Sequence, residues 1–109
     1  MILKSQVKKT ICKDLKKADS FTDRMFGLLL HSNPRNMMFE TRFGIHTLFL
    51  IKPIDIVILN SSYQIVKIKK ALKPNSFLFW DPKHSLVLEL EDGTIDKFNL
   101  RENDLVVIE

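Results

Sequence analysis

The stretch Gly44–Leu59, G-I-H-T-L-F-L-I-K-P-I-D-I-V-I-L, constrains this chain more than any other. Read by alternation, Ile54, Ile56 and Ile58 face one way while Asp55, Val57 and Leu59 face the other. Both faces are mostly apolar, so a strand here is covered on both sides and lies inside a sheet. Its many β-branched residues favour strand over helix. Pro53 cannot donate a ladder hydrogen bond and should mark a bend or bulge between two strand segments. A bent strand buried on both faces is what a small barrel or tightly coiled sheet requires.

The remaining segments fit around that strand. Met1–Leu3 and Thr10–Leu15 read as leading strands, with Lys8, Lys9, Lys13, Lys16 and Lys17 as a solvated basic edge. Ser20, with Asp23 three residues on, opens a helix whose Phe21, Met25, Leu28 and Leu29 form one apolar stripe, ended by His31-Ser32-Asn33-Pro34. Met37-Met38-Phe39 is a short strand. Asn60-Ser61-Ser62 separates Ile54–Leu59 from Tyr63–Lys69, a hairpin whose second arm turns Val66 and Ile68 inward and Lys67 and Lys69 outward. Ala71–Asn75 is a connection, and Phe77–Pro82 an aromatic loop held to the body by its rings. Ser85–Leu90 alternates with Leu86, Leu88 and Leu90 inward. Asp92-Gly93 turns, Thr94 caps a short helix, and Leu105–Ile108 is a last strand inside the sheet.

The fold class expected is mainly β (α+β). It comprises a compact, barrel-like, strongly bent antiparallel or mixed sheet, one packed N-terminal helix over about 20–31, and a short helix near 95–100. With 109 residues, 45% of them apolar, and neither linker nor repeat, the chain should form one domain, 1–109. No apolar run approaches the roughly 18–20 residues of a membrane span, and the start lacks a signal-peptide core, so a soluble, cytoplasmic protein is expected.

Charge and cysteine usage narrow the function classes. The net charge of +4 is uneven: residues 1–35 carry eight Lys/Arg against three Asp/Glu, 67–83 carry five against one, and 89–109 carry two against seven. Such a dipolar surface is no nucleic-acid footprint, and the lysines lack interleaved aromatics, so weak nucleic-acid binding ranks last. Cys12 is the only cysteine, which excludes an internal disulfide or a cysteine-rich zinc site. In its apolar setting it should be a small, unreactive core residue.

The order of features resembles a widespread prokaryotic family of uncharacterised proteins, domain of unknown function 192. The matching pieces are Asp23-Arg24-Met25-Phe26-Gly27-Leu28-Leu29, Met38-Phe39, Gly44-Ile45-His46-Thr47, Pro53-Ile54-Asp55-Ile56-Val57-Ile58-Leu59-Asn60 and Leu72-Lys73-Pro74. Further on come Val87-Leu88-Glu89-Leu90 with Gly93, and Asn103-Asp104-Leu105-Val106. The chain departs from the family at Leu50, at Glu91, after Pro74 and at Asn103, where Met, Pro, Trp and Gly are usual. Asn tolerates a left-handed backbone next best after Gly, so the last change preserves a turn. The resemblance implies a compact, mainly β, barrel-like domain with one packed helix, and no established activity, cofactor or partner.

Arg24, His46, Asp55 and Glu89 are the ionisable groups in apolar surroundings. The leading functional reading is a binding or interaction module with a groove near Gly44–Thr47 and Phe77–Trp80, for which Arg24, His46 and Trp80 are candidate ligand-binding residues. The partner would be a small ligand or a protein. The alternative is a small acid–base enzyme with His46 as acid or base, Asp55 orienting it and Arg24 holding an anion. On a purely structural account Arg24 and Asp55 form a buried ion pair. The three histidines have no metal-ligand spacing, and no metal or cofactor is expected.

Overall fold

The computed structural model describes residues 1–7, 9–17, 36–41, 44–46 and 52–109. The helix expected over 20–31 lies outside the described residues.

Among the described residues there are ten strands: β1 (Leu3–Lys4), β2 (Thr10–Cys12), β3 (Lys16–Lys17), β4 (Met37–Glu40), β5 (Gly44–His46), β6 (Ile54–Leu59), β7 (Ile65–Leu72), β8 (Phe77–Phe79), β9 (Leu86–Glu91) and β10 (Val107–Ile108). One short helix, α1 (Thr94–Lys97), follows β9. The strands form a five-stranded sheet of order β3-β4-β9-β6-β7, a three-stranded sheet β10-β1-β2 and the pair β5-β8. Among these strands every pairing is antiparallel except β3 with β4.

No closed barrel exists among the described residues, which corrects the barrel-like expectation. A barrel needs its outer strands to pair with each other, but β3 and β7 stand at opposite edges of the five-stranded sheet. The apolar character of both faces has a different cause: each face of the sheet carries its own core. Val57, Leu59, Leu88 and Leu90 pack with Leu3, Leu15, Ile95 and Val106 on one side. Ile54, Ile56, Ile58 and Val87 pack with Met37, Leu72 and Trp80 on the other.

All six residues of β6 are buried, as a strand covered on both faces must be. Pro53 immediately precedes β6, outside the ladder, and the strand earlier in the same run, β5, belongs to another sheet. The β6–β7 hairpin forms as expected. Asn60 organises its turn: its side-chain oxygen accepts the backbone N–H of Ser62 and Gln64 at 2.9 and 3.0 Å. Bending is supplied by two register shifts against β7, between Ile54 and Ile56 and between Ile58 and Leu59. The second shift sends Ile68 to one core and Val66 to the other, instead of both to one.

Five local expectations change. Phe77–Phe79 is strand β8, and β7 runs through Ala71 to Leu72 where a connection was expected. Only Val107 and Ile108 form the last strand, and it is an edge strand beside β1. In β9, Val87 and Glu89 are buried as thoroughly as Leu88 and Leu90, because strands flank β9 on both sides and cores cover both faces. Finally, Gly93, not Thr94, occupies the helix N-cap, with φ of 90° and no side chain to cap with.

Candidate functional site

Asp55 supplies the missing cap. Its carboxylate is 1% exposed, one oxygen accepting the Ala71 N–H and the other the Ile95 N–H, each at 2.9 Å. Ile95 is the second residue of α1, one of the helix amides that need an outside acceptor. Ala71 sits at a bulge of β7 with φ of 49°, a left-handed backbone that costs a residue with a Cβ roughly 1–2 kcal/mol. One buried carboxylate thereby ties β6 to a strained bulge and to a helix start that no nearby side chain caps.

Glu89 is equally buried, but it faces the other core. Ile56 pairs with Glu89 and Asp55 with Leu90. Residues opposite each other share a face and successive residues alternate, so the two carboxylates point to opposite sides of the sheet.

β5 and β8 bring together the two segments expected to border a groove: Gly44 pairs with Phe79, Ile45 with Leu78 and His46 with Phe77. Alternation along β8 decides what this pair presents. Leu78 turns inward and packs with the core containing Trp80 and Ile56. Phe77 and Phe79 turn outward, 59% and 65% exposed, with rings parallel within 2° and centroids 6.2 Å apart. The Lys67 ammonium donates to the Phe79 carbonyl at 3.3 Å, placing a cation beside the β8 backbone. Trp80 is a core residue: it is 8% exposed, and its indole N–H donates to the His84 carbonyl at 2.7 Å.

Of the residues singled out from sequence, Arg24 lies outside the described residues, so the expected pair with Asp55 does too. The backbone of His46 runs in β5, on the side of the sheet that Leu78 packs against, whereas Asp55 is turned to the opposite core. Sequence reasoning placed Phe77 and Phe79 in the segment expected to border a groove, but named only Trp80 of that segment as a candidate ligand-binding residue. The signal was available: in Phe77-Leu78-Phe79, a strand of period 2 sends both rings the same way and Leu78 the other. Among the described residues no cluster of three His, Cys, Asp or Glu side chains could hold a metal, and no helix is long and apolar enough to cross a membrane.

Cys12 ends β2 opposite Leu3 and is half-buried against the first core. Burial, reinforced by the nearby Asp14 charge, raises its thiol from the ordinary 9.0 to about 11. At pH 8 the folded chain holds far less thiolate than the unfolded one, so a thiol reagent should label Cys12 more slowly, by on the order of 10-fold or more, in native buffer than in denaturant. Equal rates would contradict the assignment. The sign for stability follows from the same shift. The folded chain holds this proton more tightly, so Cys12's contribution is whole below pH 9 and is lost as pH rises through about 11.

Fold and site together define a small β-rich domain with two cores, braced by a buried carboxylate and bearing an exposed aromatic pair. The chain belongs to the DUF192 family of uncharacterized proteins, whose model matches residues 2–108. It is 32% identical over 99 residues to a UPF0127 protein of Thermococcus sibiricus; the match takes in 83% of this chain and 62% of that protein's length. Two crystal structures share the fold. A protein of unknown function from Novosphingobium aromaticivorans superposes with a TM-score of 0.77 at 15% identity, over 99% of this chain and 84% of the other. A candidate transcription regulator from Sinorhizobium meliloti superposes with a TM-score of 0.75 at 20% identity, over 97% and 89%.

Proposed function

We propose that this domain is a binding module that engages an acidic, aromatic- or aliphatic-bearing polypeptide segment across β5–β8. The observation that carries this reading is the exposed, parallel pair Phe77 and Phe79 on one face of a three-residue strand. Exposed aromatic side chains held rigidly by a packed strand are the residues that dominate peptide and protein recognition. Charge supplies the sign of the partner: residues 67–83 carry five basic residues against one acidic. Lys67 and Lys70 are partly committed, to the Phe79 carbonyl and to Asp96, so the basic track is too short to follow a nucleic-acid backbone. The acid–base alternative at His46 and Asp55 draws less support, because both Asp55 oxygens are bound to backbone amides.

Selection from a random peptide library displayed on phage tests this reading. Enriched peptides should be acidic and contain aromatic or large aliphatic residues, and Phe77→Ser/Phe79→Ser should weaken them at least 10-fold, since interface aromatics are each worth about 1–2 kcal/mol or more. The melting temperature should be nearly unchanged, because neither ring is in the core. Absence of enrichment, or peptide binding indifferent to the double substitution, would overturn the reading. Salt-sensitive binding of a dT20 oligonucleotide that depends on the same two rings would reassign the surface to single-stranded nucleic acid.

A further inference from the structure

A second surface, built from other elements, carries a separate inference. Between the β1–β2 turn and the loop following α1 lies a cleft of about 360 Å³, near the lower limit for small-molecule sites. Its walls are far apart in sequence and are held firmly. On the first wall Ser5 and Lys9 close the turn, the Ser5 N–H donating to the Lys9 carbonyl at 2.8 Å and the Lys9 N–H to the Ser5 hydroxyl oxygen at 3.2 Å. On the second, the helix ends with Asn99 at φ of 50° and the Leu100 N–H returning to the Ile95 carbonyl at 3.0 Å. The Asp104 carboxylate fixes the loop beyond by accepting the Arg101 N–H at 3.1 Å. The Leu105 N–H donates to the Gln6 side chain at 2.9 Å and ties one wall to the other.

The side chains lining the cleft carry three cations against one carboxylate, that of Asp104, which is taken up by the Arg101 N–H. Lys9, Lys97 and Arg101 line the cleft, and among the described residues none of the three is in an ion pair. The placement is selective. Residues 89–109 carry seven acidic residues and only two basic ones, Lys97 and Arg101, and both basic residues face this cleft. Two of the acids, Asp96 and Glu109, are instead turned to Lys70 and Lys4. The Phe98 ring also lines the cleft, packed against the core, with the Lys97 ammonium 5.5 Å from its centroid.

We infer that this cleft binds a small organic anion: a phosphate monoester or carboxylate held by Lys9, Lys97 and Arg101, attached to a planar or apolar body that lies on Phe98. Converging cations bind the anionic head, with the guanidinium suited to bidentate contact, and the ring gives the body a dry surface. A solvated charge cluster alone would take up an inorganic anion as readily as an organic one; the ring predicts that it does not.

The test is a titration of the intact, isotope-labelled chain, followed by amide chemical shifts, with phenyl phosphate, benzoate, inorganic phosphate and phenol. Phenyl phosphate or benzoate should shift residues 5–9 and 97–104 and bind at least 10-fold more tightly than inorganic phosphate or phenol. Whichever of the first two binds better identifies the head group. Arg101→Glu, and independently Lys9→Glu on the other wall, should each weaken binding at least 10-fold, and Lys83→Glu elsewhere on the surface should not. Equal affinity for inorganic phosphate, shifts spread over the lysines of 67–83, or binding unaffected by both charge reversals would overturn the inference.

Discussion

Asp55→Ala should destabilise the fold by about 3–5 kcal/mol, measured as a fall in denaturation midpoint at unchanged slope. The substitution removes an acceptor from two backbone N–H groups at once, those of Ala71 and Ile95, and water cannot reach a position whose side chain is 1% exposed. A buried donor left without an acceptor costs about 1–3 kcal/mol, more when its lost partner was charged. Asp55→Asn should cost less, roughly half, because one oxygen still accepts while the new amide faces the other N–H. Asp92→Ala, an exposed acid in the turn before α1, should stay within about 0.5 kcal/mol. A loss below about 1 kcal/mol for Asp55→Ala would show that the carboxylate does not brace the fold. A double-mutant cycle with Arg24 separates this role from the ion pair suggested by the sequence. If the Asp55→Ala loss persists in full beside Arg24→Ala, the two amides account for it; if it shrinks sharply, the ion pair does.

Deleting residues 104–109 should abolish cooperative unfolding altogether. The segment is short, but its bonds reach three regions. Ile2 and Glu109 exchange backbone hydrogen bonds at 2.8 Å each, the Val106 N–H donates to the Tyr63 carbonyl at 2.9 Å, and the Asp104 carbonyl accepts from Ile65 at 2.8 Å. Val106 is 5% exposed and belongs to the same core as Leu3 and Leu15. Burial of one such valine is worth roughly 1.5–3 kcal/mol and each backbone bond about 1. Together these approach the 5–15 kcal/mol total stability of an ordinary domain. Removal of β10 also turns β1 into an open edge. A truncated chain that stays in solution and melts at the temperature of the intact one would contradict this.

Those two residue sets were legible to different degrees. Asp55 stood out as the lone acid in an apolar strand, which required a partner. Sequence spacing pointed to a charged one, since the cap of a helix start 40 positions away leaves no local pattern. The necessity of the last segment was readable from its apolar run, but not its place at the edge of a small sheet. Asn103 was recognisable as a substitute for glycine, and it does adopt the left-handed backbone, at φ of 76°. For the candidate sites, the two segments expected to border a groove, Gly44–His46 and Phe77–Phe79, are paired strands. The turn signals Pro74-Asn75 and Pro82 made the aromatic segment read as a loop, which treated its rings alike; the strand separates them, with Trp80 inside and Phe77 and Phe79 outside. The cationic cleft had no sequence signature, because its three cations come from positions 9, 97 and 101.

The sequence by itself determined the quantities that depend on neighbours in the chain. Alternation in β6 established a strand buried on both faces, Asn60 established the hairpin turn, and the single cysteine excluded an internal disulfide. Tertiary structure alone decided that β9 is buried on both faces too, and how the two strands are covered. Periodicity says that a face must be buried, but apolar burial is non-directional and does not name what buries it. A closing barrel wall and a second packed sheet satisfy the same pattern. Long-range hydrogen bonds made the choice: β3 and β7 ended at opposite edges, and Asp55 fixed a bulge and a helix start that its own neighbours in sequence could not reach.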